Sequence, residues 1–168
     1  MLASKVVKTI LCVMVMFYQP SLCQSKVGNT SMVPQRKGMS EAEQLCARLS
    51  KTKGWPAKNE SVSDEIYNGL IKQGKAALPC LINRITATAM MRDPRPGPIH
   101  LDFRVGDAAF FLVHEITGVP LEQMLPDQIK RRWGKEGVYA YFKYVEKTVN
   151  RKALQNRWKA WLKENPSI

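Results

Sequence analysis

Histidine is almost missing from this chain: His100 and His114 are the only two among 168 residues. A zinc centre built on histidines is therefore excluded. His114-Glu115 opens the pattern H-E-x-x-H, but Gly118 stands where the second histidine ligand belongs, so a metal there would have to recruit Asp, Glu or the cysteines. Gly54 and Gly97 are turn punctuation, no glycines have the spacing of a phosphate-cradling loop, and no serine sits in a nucleophile elbow. The sequence thus presents no cofactor motif, no metal site and no catalytic constellation. His100, Asp102 and His114 would suit a hydrolase only if folding drew them into one cleft, and acid pairs such as Asp102 with Asp107 or Glu115 carry the same condition.

Long apolar runs are absent too. The longest in the N-terminal region, residues 10–18 (ILCVMVMFY), is short against the roughly 20 residues a membrane-spanning helix needs. It follows Lys5 and Lys8, with no acid before Glu41, and Pro20 breaks it ahead of the small residues Ser21 and Cys23. These are the three parts of a secretory signal peptide over 1–23, with cleavage after Cys23 or, in competition, after Ser25. The protein is therefore expected to be secreted or periplasmic. An uncleaved anchor, a buried strand and a lipidated Cys23 are the alternatives, the last disfavoured by Leu22 and Pro20 just upstream. Removing 1–23 leaves 168 − 23 = 145 residues, enough for one domain with a workable core.

Acidic residues are scarce: 14 Asp and Glu stand against 26 Lys and Arg, a net charge of +12, or 12 − 2 = +10 once Lys5 and Lys8 are removed. Such a balance favours anionic partners without identifying one. Of the four cysteines, Cys12 and Cys23 leave with the signal peptide. Cys46 and Cys80 remain, a disulfide candidate in an oxidising compartment and two small core residues in a reducing one.

What is present is helical periodicity. Residues 24–38 are polar, rich in Gly and Pro, and read as a flexible leader; the domain spans 39–168. Ser40 and Glu43 form a capping box ahead of Ala42, Leu45, Cys46 and Leu49. A second start signal at residues 61–64 precedes Ile66, Leu70 and Ile71. The stripe Ala77, Leu78, Leu81, Ile82, Ile85 and Ala89 predicts a third helix ending by Asp93, where three prolines open the stiff loop 93–104. Residues 105–117 form the most apolar segment and should be the central helix, closed by Gly118. Short turns are expected around Pro126, a helix rich in aromatics over 138–149, and a last helix from about Arg151 with Asn150 as its N-cap. No convincing period-two alternation occurs, so the expected fold is all-α, a compact bundle of about six helices.

The stretch Gly74-Lys75-Ala76-Ala77-Leu78-Pro79-Cys80-Leu81-Ile82 resembles the second helix of a HEAT-type repeat, and residues 104–118 are similar to the first helix of the next. The resemblance covers roughly residues 71–118. It implies paired helices that bury one face against neighbouring pairs, in a short bundle instead of an extended solenoid, and a function in binding other macromolecules.

From Pro126 to Ile168 eleven Lys/Arg face four Asp/Glu, 11 − 4 = +7, with aromatics interleaved. Leu154, Trp158, Trp161 and Leu162 share one helix face, while Lys152, Lys159 and Lys163 lie elsewhere on the wheel. Two readings follow. In one, Trp158, Trp161 and the lysines form a binding surface for membrane or an anionic polymer. In the other, the tryptophans dock into the core and the lysines face water. The expected function is an exported module without catalytic activity that contacts another protein, as an inhibitor, immunity-type protein or envelope scaffold would. Export argues against a nucleic-acid partner.

Overall fold

A computed structural model describes residues 38–55, 64–97 and 99–166. The expected signal peptide, the leader up to residue 37 and the start signal at 61–63 lie outside the described residues. Among the described residues the fold is all-helical: seven α-helices with three 3-10 turns and no strand beyond one isolated bridge.

Helix α1 (Glu41–Ala47) begins at the capping box. The Ser40 hydroxyl accepts from Glu43 N–H at 3.3 Å, and the Glu43 carboxylate accepts from Ser40 N–H at 2.8 Å. Helix α2 (Glu65–Gln73) is capped by Asp64, which accepts from Tyr67 N–H at 2.8 Å. Helix α3 (Leu78–Arg84) carries Pro79 in its first turn, where no helical hydrogen bond is lost. A disulfide joins Cys46 in α1 to Cys80 in α3, with Cα atoms 6.3 Å apart.

Helix α3 ends earlier than its apolar stripe predicts. The carbonyls that would continue the helix turn to the strand-like return of the chain instead. Ala87 and Ala89 carbonyls accept from Gly106 and Val105 N–H, both at 3.0 Å, and Met91 N–H donates to Phe103 at 3.0 Å. Ile85 remains buried and keeps helical dihedrals as the C-cap of α3, so the residue type was right for the core while the helix stops there.

Helix α4 (Val105–Thr117) buries every residue from Val105 to Val113 and is the centre of the core. Its close approach to the 85–87 segment requires Gly106: a Cβ there would sit 2.3 Å from the Ile85 carbonyl oxygen and 2.7 Å from that of Ala87. Next to it the fully buried Asp107 receives Arg151 at 2.8 and 3.2 Å, the Tyr141 hydroxyl at 2.7 Å and Arg104 N–H at 2.8 Å. Burial, then the Asp107 charge, pushes the Tyr141 hydroxyl well above its usual range. A buried ion pair with all its groups satisfied links three helices.

Beyond Pro126 the chain forms a full helix, α5 (Asp127–Glu136), where only short turns were expected. Ile129 is its one buried residue, too weak an apolar stripe to announce the element. Helix α6 (Val138–Val145) and helix α7 (Thr148–Glu164) follow. Asn150 is not the cap of α7. It lies inside the helix, and its side-chain Nδ2 donates to the Tyr144 carbonyl at the end of α6, 2.7 Å away. Helix α7 packs on α3 and α6, setting Trp158 fully inside.

Candidate functional site

The loop 93–104 is irregular but heavily braced. Asp93 is buried, and its carboxylate accepts from Arg95 N–H at 3.1 Å, Arg95 Nε at 2.9 Å, Arg95 Nη2 at 2.6 Å and His100 N–H at 2.9 Å. Burial alone would raise the Asp93 pKa. The Arg95 side chain, the two backbone donors and the guanidinium charge together outweigh it and hold the carboxyl below the ordinary range.

The same guanidinium lies over three rings, 4.4 Å from the Phe111 centroid and 5.1 Å from those of Phe103 and Phe142. Arg95 thereby ties the loop to α4 and α6, with its charge balanced by Asp93. His100 stacks on Phe142, centroids 3.8 Å apart. Trp55 N–H donates to the Pro94 carbonyl at 2.9 Å. At Gly97 the chain turns with φ at +141°, a conformation closed to L side chains.

The bracing points polar groups inward and leaves aliphatic ones outside. Leu101 is 89% exposed and Ile99 63%. Met90, at the foot of the loop, and Tyr139 on α6, one turn before the Phe142 that His100 stacks on, are about half exposed. The braced loop thus holds two large aliphatic side chains, Ile99 and Leu101, in water. Neither Asp93, Arg95 nor these side chains stood out in the sequence. The available signal was two bulky aliphatics in a proline loop outside any periodic stripe, with Asp followed two residues on by Arg.

His100, Asp102 and His114 are not drawn into one cleft by any contact. The His100 ring faces Phe142, Asp102 is exposed, and His114 Nδ1 lies 2.6 Å from the Val119 carbonyl at the far end of α4. Among the described residues no group of three His, Cys, Asp or Glu is arranged to hold a metal ion. Glu115 is exposed on α4, whereas Asp107 is committed to Arg151.

Of the C-terminal candidates, Trp158 is buried with its indole N–H unpaired, and Trp161 packs edge-on against it, centroids 5.3 Å apart and partly exposed. Lys152, Lys159 and Lys163 are exposed; Lys152 donates to Gln155 at 2.9 Å. No described helix is long and apolar enough to cross a membrane. No family model matches the chain, and neither the curated proteins nor the solved structures contain a match.

Proposed function

We propose that this protein is an exported module without catalytic activity, a short HEAT-like pairing of helices that binds another protein through the tip of the 93–104 loop. The observation that carries the reading is Leu101, held almost fully in water beside Ile99 on a loop anchored by the buried Asp93 and its partner Arg95. A preorganised tip loses little conformational freedom on docking, so its apolar area converts efficiently into affinity. With 26 cations against 14 acids, the complementary partner face is an apolar depression rimmed by carboxylates. The membrane or anionic-polymer reading of the C-terminal helix has less support, because Trp158 is committed to the core and only Trp161 and the lysines remain on the surface.

The test is capture of partners from an envelope or secreted-protein extract by the immobilised mature protein, at low and high salt. A protein retained at high salt by the wild type and lost by the Ile99→Asp/Leu101→Asp variant, with unchanged melting, supports the proposal. An interface anchor of this kind should contribute about 2 kcal/mol or more. Binding that salt abolishes, and that Lys159→Glu/Lys163→Glu removes while the loop variant keeps it, would support the surface reading instead.

A further inference from the structure

A second feature stands apart from the loop tip. The 3-10 turn Leu49–Lys51 and the residues after it face Arg92 across a cleft of about 500 Å³, lined by Ser50, Lys51, Thr52, Lys53 and Arg92. Three of these five lining residues are cations and none is an acid.

Lys51 and Lys53 also line an adjoining cleft with Arg48, Asp64 and Glu65, so around the two clefts four cations stand against two carboxylates. Asp64, near Lys53, accepts from Lys53 N–H at 2.7 Å and Tyr67 N–H at 2.8 Å. Glu65 pairs with Arg48 at 3.2 Å, and Asp93, beside Arg92, is held by Arg95. Among the described residues no carboxylate forms an ion pair with Lys51, Lys53 or Arg92. Cations gathered in a concavity focus a positive potential there and draw in an anion.

Thr52 supplies an independent sign. It is only 5% exposed, and its Oγ1 is shut off from solvent with no hydrogen-bond partner. Buried hydroxyls are nearly always paired, and an orphan calls for an explanation. No hydrogen bond holds the present rotamer, and in the proposed site the hydroxyl would turn about χ1 to face the cleft.

We propose that this cleft binds a tetrahedral oxyanion, a phosphate or sulfate group. The planar Arg92 fork meets two oxygens, Lys51 and Lys53 neutralise the charge, and the Ser50 and Thr52 hydroxyls donate to the remaining oxygens. The cleft is larger than a lone ion, leaving room for a sugar unit bearing the group. This inference does not depend on the loop-tip reading.

The test is a ¹H–¹⁵N titration of the mature protein with inorganic phosphate, and separately with a sulfated hexasaccharide, at constant ionic strength. The expected result is saturable shifts confined to the amides of 50–53 and Arg92. Arg92→Gln should weaken binding about tenfold or more. Thr52→Val should also weaken it while melting is kept or raised, which a merely structural hydroxyl would not do. Lys159→Gln/Lys163→Gln should leave it unchanged. Tighter binding of the hexasaccharide at the same amides points to a polymer-borne group, and equal binding to the free ion. Shifts that never saturate, that spread over the lysines of α7, or that survive Arg92→Gln would overturn the proposal.

Discussion

Asp93 accepts four hydrogen bonds, three of them from Arg95, and no apolar periodicity in the sequence marks either residue. Their pairing is local, two residues apart, and the turn at Gly97 brings His100 N–H to the same carboxylate. The consequence is a pH dependence of definite sign. A carboxyl lowered on folding stabilises the folded loop above its unfolded pKa of about 3.9, and that stabilisation is lost as pH falls through the lower folded value. Carboxyl ¹³C titration of Asp93 should therefore give a midpoint below about 3.9. A midpoint at or above that value would mean the Arg95 and His100 contacts do not persist in solution. His114 illustrates the converse case: its neighbour Glu115 suggested chemistry in the sequence, but its ring is taken up by the Val119 carbonyl.

At the scale of elements, strong stripes were legible and weak ones were not. The capping box, the apolar run of α4 and the Gly118 stop appear as the residue pattern predicts. The length of α3 was misjudged because Ala87 and Ala89 suit a helix equally well; only the returning Val105 and Gly106 decide where their carbonyls point. Helix α5 escaped notice for want of apolar residues. Helix α7 is anchored by Trp158, so Trp158→Ala should cost about 3–5 kcal/mol. Trp161→Ala should cost clearly less, since part of that ring already meets water. Denaturant melts of the two variants check this; equal losses, or none for Trp158, would contradict the packing. The Cys46–Cys80 bond closes a separation of 34 residues and should stabilise by about 3–4 kcal/mol in the chain-entropy picture. Mass spectrometry of non-reduced protein should find the bridge, and melting with and without reductant should show the loss.

For the molecule as a whole, composition and periodicity made the all-α class readable, because no segment alternates and most of 39–168 carries helical stripes. The proposed contact surface was not readable. Its residues stay out of the core, and Ile99 and Leu101 are recognisable as exposed only once Phe103, Phe111 and Phe142 have claimed Arg95 and His100 beneath them. The proposed docking requires the loop to be stiff before any partner binds. Amide hydrogen exchange over the whole protein at neutral pH tests this most directly. Slowest exchange is expected in α4, whose amides need global unfolding to open. The Arg95 and His100 amides, bound to a buried carboxylate, should exchange well below free-chain rates, and Asp93→Asn should accelerate both while α4 is nearly unaffected. Exchange of Arg95 and His100 at free-chain rates in the wild type would show a loose loop and contradict the claim that the fold presents a preformed tip.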